Sequence, residues 1–143
     1  MKKFIIALVG LFLICPQLAS AQQAFYADAK VKVVSTIVAA NTTAIVLKAT
    51  AGSVYSIDAF NNGGSIIYVK LYNAASATCG SGTPQARYQI PFGATSSGGG
   101  FNVSNINGDA YANGITMCIT GGFADADTTN PPATTAYINV HFK

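Results

Sequence analysis

The sequence predicts an all-β fold, a single β-sandwich of about seven or eight antiparallel strands with immunoglobulin-like or jelly-roll connections. Three observations carry this. Short runs of β-branched and aromatic residues alternate with polar ones. Clusters of Gly, Asn, Asp, Ser and Pro interrupt those runs roughly every ten residues. Helix signals are scarce: Glu is absent, Leu is rare, and no apolar stripe at i, i+3, i+4 is sustained.

The chain of 143 residues opens with Lys2 and Lys3, the apolar run Phe4 to Cys15, and then Leu18-Ala19-Ser20-Ala21. This is the form of a secretory signal peptide cut after Ala21. The run is too short for a permanent membrane anchor. Residues 1–21 are therefore read as the leader and residues 22–143 as the β-sandwich domain, secreted or periplasmic. Removing Lys2 and Lys3 leaves Lys30, Lys32, Lys48, Lys70, Arg87 and Lys143 against five Asp, so the net charge falls from +3 to about +1. These cations are scattered singly, and a nucleic-acid partner is not expected.

Ala29 to Ala39 and Thr43 to Ala49 read as two strands split at Ala40-Asn41-Thr42. Ser53 to Phe60, a turn at Asn61-Asn62-Gly63-Gly64, and Ser65 to Tyr72 read together as a hairpin. In its second arm Ile67, Val69 and Leu71 alternate with Tyr68, Lys70 and Tyr72. The aliphatic side belongs in a core. The other side is expected to be wet or covered by a partner, which makes Tyr68, Lys70 and Tyr72 a candidate interaction surface. Ala86 to Phe92 resumes an extended pattern, Ala94 to Gly100 reads as a flexible connection, and Phe101 to Ile106 and Gly114 to Thr120 are strands separated by a loop at Asn107-Gly108-Asp109. Gly121 to Pro132 is a long break. In the last strand, Thr134 to Phe142, Tyr137, Asn139 and His141 alternate with Ile138, Val140 and Phe142. Few Lys or Pro are placed to blunt the sheet edges, so self-association or a larger assembly is expected.

Cys15 leaves with the leader, and Cys79 and Cys118 remain. In an oxidising compartment two such cysteines most often pair, closing a loop of about 40 residues; the alternative is two separate thiols. Neither has a Cys or His companion at metal-ligand spacing. Asp125, Asp127 and Asn130 resemble part of a calcium loop, but the bidentate acid and the Gly of such a loop are missing. A solvated loop whose Asp side chains bond the local backbone is the favoured reading, with no metal and no cofactor.

Catalytic groups are few. His141 is the single His, and the sequence places no carboxylate or nucleophile beside it. Asp125 and Asp127 are the only close acidic pair a glycosidase could use. Gly98-Gly99-Gly100 has no Lys-Ser/Thr behind it and is no phosphate loop. The triplets at Asn41 and Asn102 fit the glycosylation pattern, which a leader of bacterial form makes irrelevant. No enzymatic activity is expected.

Several phrases resemble small β-sandwich proteins of tailed bacteriophages, the head-decoration or tail-associated virion components. These are Ala49-Thr50-Ala51-Gly52-Ser53-Val54-Tyr55-Ser56-Ile57-Asp58-Ala59-Phe60-Asn61, then Tyr68-Val69-Lys70-Leu71-Tyr72-Asn73-Ala74-Ala75, then Ile90-Pro91-Phe92-Gly93, Asp125-Ala126-Asp127-Thr128-Thr129 and Asn139-Val140-His141-Phe142. The resemblance implies a non-enzymatic structural or surface-assembly module that packs on a particle or on copies of itself. The leader departs from that pattern, since such virion proteins assemble in the cytoplasm. A secreted or periplasmic domain binding a ligand such as a glycan through exposed tyrosines is the alternative.

Overall fold

The computed structural model describes residues 30–34 (backbone only at 31–34), 43–92, 98–131 and 136–143. The leader at 1–21, Asn41 and Thr42 of the first glycosylation triplet, and parts of the strand from Ala29, of the connection from Ala94 and of the break ending at Pro132 lie outside the described residues.

Among the described residues eight strands follow in order: β1 (Lys30–Val34), β2 (Ile45–Lys48), β3 (Gly52–Asn61), β4 (Ile67–Asn73), β5 (Ala86–Ile90), β6 (Gly99–Tyr111), β7 (Ile115–Thr120) and β8 (Ala136–Phe142). They form two four-stranded antiparallel sheets, β1-β8-β3-β6 and β2-β7-β4-β5. The expected β-sandwich is therefore present. The pairings nest as β1 with β8, β2 with β7, β3 with β6 and β4 with β5, one long hairpin of paired strands rolled into a sandwich. That nesting is the jelly-roll arrangement rather than the immunoglobulin one.

Each inner face supplies the alternate residues that the pattern marked. Ile67, Val69 and Leu71 of β4 and Ile115, Met117 and Ile119 of β7 meet Val54, Ile57 and Ala59 of β3 and Ile138, Val140 and Phe142 of β8 in a single core. Burying the Val, Leu, Ile and Phe side chains among these is worth about 1.5–3 kcal/mol each before the ordering entropy is subtracted.

Two expected connections are different in the structure. The turn at Asn61 to Gly64 does not close a hairpin, because β3 and β4 lie in opposite sheets. The Asn61 side chain still organises it, donating to the Ser65 carbonyl at 2.9 Å and accepting from the Gly63 amide at 2.9 Å. Asn107-Gly108-Asp109 is not a loop between strands but part of β6. Val54 pairs with Asp109 and Ser56 with Ser104, so residues 105–108 bulge opposite Tyr55 alone. Gly108 sits in the bulge with φ +72°, where a Cβ would strike Ser53 and the Tyr55 ring.

Candidate functional site

The two sheets present very different outer faces. On the β2-β7-β4-β5 sheet every residue of β7 is buried, including Thr116, Cys118 and Thr120, which point away from the core. The cover comes from the chain itself. Residues 74–84, between β4 and β5, are stapled to β7 by a Cys79–Cys118 disulfide, with Cα atoms 5.7 Å apart, and the two cysteines form a small buried cluster with Tyr72, flanked by Ala44 and Ala77. The Thr116 hydroxyl donates to the Ala74 carbonyl at 2.8 Å and holds the same segment at a second point.

Residues 121–131, between β7 and β8, complete the cover. Their framework is Asp127, whose Oδ1 accepts from the Gly122 amide at 3.0 Å, the Thr129 amide at 3.1 Å and the Thr129 hydroxyl at 2.8 Å. Burial opposes the Asp127 charge, but these hydrogen bonds together with the Lys70 ammonium outweigh it, and its carboxyl is held below the usual range. Asp125 is taken up by a two-pronged contact with Arg87 on β5, from Nε and from Nη2 at 2.5 Å. That hydrogen bonding lowers the Asp125 pKa and raises that of Arg87. The two covering segments also touch each other, for a Cβ at Gly80 would collide with Thr128.

Lys70 runs under this cover. Its side chain is 0% exposed, and Nζ donates to the Ala124 carbonyl at 2.6 Å and toward the Asp127 carbonyl at 3.4 Å. Burial lowers its pKa, with Asp127 and Asp125 pulling the other way. The loop that resembled a calcium loop thus wraps its backbone oxygens around a lysine ammonium of its own chain. The candidate metal ligands Asp125 and Asp127 are engaged as Arg87 and backbone partners, and among the described residues no group of His, Cys, Asp and Glu is arranged to hold a metal ion.

This corrects the expected interaction surface. Lys70 and Tyr72 are buried and Tyr68 is half-buried, with Phe123 of the covering loop set edge-on against the Tyr68 ring at 5.8 Å. The alternation in β4 is present, but its second side is covered by the same chain, Tyr72 by the segment that follows and Tyr68 and Lys70 by residues 123–127.

The outer face of the β1-β8-β3-β6 sheet is different, with two exposed aromatics beside a row of polar residues. Phe60 on β3 and Tyr137 on β8 are directly opposite and remain 41% and 48% exposed. One step along, Asp58 lies between Asn139 of β8 and Asn102 of β6. Its Oδ1 accepts from the Asn102 amide, and its Oδ2 is 3.4 Å from His141 Nε2. Opposite Phe60 on β6 stands Gly100. The missing side chain leaves an open concavity of about 550 Å³ lined by Asp58, Phe60, Gly100, Asn102, Tyr137 and Asn139.

His141 therefore does have a carboxylate neighbour that the sequence did not place. Ser56 is its cross-strand partner. Among the described residues no hydrogen bond joins the imidazole to a hydroxyl, so the link between base and nucleophile that acyl transfer needs is missing. The signal for this row was present in part: alternation puts Asp58 with Phe60, and Asn139 with Tyr137 and His141. What sequence lacked was the adjacency of β3, β6 and β8.

No protein-family model and no curated protein matches the chain. Among solved structures, a chain from the disulfide-linked pili that form Bacillus endospore appendages is similar over 80% of this chain and 84% of its own, at 18% identity and a TM-score of 0.35. A structure of PirA is similar over 81% of this chain and 85% of its own, at 12% identity and a TM-score of 0.30. Likenesses this distant leave the function to be argued from the residues above.

Proposed function

We propose that the chain is a non-enzymatic exported structural or surface-assembly module. One observation carries this reading: apart from the Asp58–His141 pair, most of the described groups able to do chemistry are spent on rigidity. Arg87, Asp125, Asp127, Lys70 and both cysteines lock the covering segments onto one sheet. What the molecule offers to other copies is above all the open side of β6, a strand of 13 residues paired, among the described residues, only with β3. The disulfide fits an oxidising compartment, as the leader does. The resemblance to virion-associated proteins of tailed phages points to the same class of role, and a shared scaffold does not by itself fix what the module coats.

Sizing of residues 22–143 by light scattering across a concentration series tests this. Discrete oligomers or filaments are the expected result. A monomer at every concentration, with no particle or surface that it coats, would overturn the reading in favour of a secreted ligand-binding domain.

A further inference from the structure

We infer that the concavity on the β1-β8-β3-β6 sheet is a binding site for a neutral saccharide. This goes beyond the assembly reading and does not depend on it. Phe60 and Tyr137 stand side by side as a cross-strand pair, each nearly half exposed, and so present apolar ring surface at low entropic cost. Directly beside them lies the row Asn102, Asp58, Asn139, which offers amide donors and carboxylate and amide acceptors at one level of the sheet. A carboxylate has about four acceptor positions, and the Asn102 amide takes one of them while His141 faces another at 3.4 Å. Capacity is left over for a ligand.

A sugar ring matches this pairing. Its C–H face lies on aromatic rings, and its hydroxyls both donate and accept, as a row of amides and a carboxylate requires. The concavity of about 550 Å³ falls within the roughly 300–1,000 Å³ typical of small-ligand sites. Charge selects the class of sugar. Asp58 is the acid of the site and no Lys or Arg is among its described lining residues, so nothing there answers the charge of a carboxylated or sulfated glycan. A cationic ligand fits less well, because Phe60 and Tyr137 stand side by side on neighbouring strands of an open face instead of enclosing a point.

The test is a glycan array carrying neutral, sialylated and sulfated oligosaccharides, probed with residues 22–143 and followed by NMR titration with the best neutral oligosaccharide. Neutral glycans are expected to bind, with Tyr137→Ala and Asp58→Ala each losing about tenfold in affinity. Val46→Ala, an exposed position on the other sheet, leaves binding unchanged. Melting curves establish that each variant is folded, and Phe60→Ala replaces either variant that is not. The proposal is overturned by the absence of neutral-glycan binding, by a preference for acidic glycans, or by binding indifferent to all three face variants. It is equally overturned if Tyr137→Ala changes the oligomer size and not glycan binding, since the face is then covered by a second copy.

Discussion

The two sheets share a core but treat their outer faces in opposite ways. One is roofed by residues 74–84 and 121–131, held at four kinds of anchor: a disulfide, a buried ammonium, a bidentate ion pair and the Asp127 turn. The other is left open, with Phe60 and Tyr137 in water beside the Asp58 row. Antiparallel sheets usually keep one face wet, so the roof rather than the open face is the departure. The four anchors are concentrated on the roofed face, while Phe60 and Tyr137 stand on the face that carries none of them.

This contrast predicts a ranking of effects. The largest comes from Cys79→Ala with Cys118→Ala, which releases a closure spanning 39 residues. The entropic model puts the loss at about 4 kcal/mol. Chemical denaturation of the variant, and of wild type with reductant, should agree on that value. If reduction leaves the midpoint in place, the roof does not depend on its staple.

Next comes Lys70→Met, which keeps the stem's volume but leaves the Ala124 and Asp127 carbonyls without the ammonium, for a loss of about 2 kcal/mol. The pH dependence sharpens this. Because burial lowers the Lys70 pKa from 10.5, the unfolded chain holds more protons between the lowered value and 10.5. Stability from this group therefore rises with pH through that window and is complete above 10.5. The gap between wild type and variant should widen over the same range, and a gap that narrows would contradict the burial of Nζ.

The smallest effect is that of Arg87→Ala, a partly exposed contact whose loss at neutral pH should be slight and should fade with added salt. Arg87 holds the Asp125 carboxyl below its ordinary 3.8, so the contribution is present in full above that value and is lost as pH falls through the lower folded value. Melting temperatures of wild type and variant should converge in that acid range. A constant offset through it would mean that Asp125 is not the partner that matters.

Faces were legible in the sequence where neighbours were not. The alternation from Ile67 to Tyr72, and again from Tyr137 to Phe142, told correctly which side chains enter the core. It could not tell what lies over the other side, because Lys70 is covered by residues more than fifty positions away and Tyr72 by a following segment whose path a period of two does not contain. The expected hairpin at Asn61 failed for a related reason. Turn chemistry shows that the chain reverses there, and the Asn61 side chain does close the turn, but a reversal within a sheet and one between sheets use the same residues. The pairing of Cys79 with Cys118 needed only composition and compartment. The Asp58 row needed strand order, which a period of two does not contain.

The nested pairing has a mechanical consequence. Lys30 lies opposite Phe142, so β1 and β8 bring their outer ends together at one corner of the open sheet. Tension applied through those two ends would peel β1 from β8 pair by pair, like a zipper, rather than shear the whole ladder at once. Extension would stop short at the cysteine bridge, behind which β5, β6 and most of β7 are shielded from the pull. A chain tethered this way would yield softly at first and then act as an inextensible link.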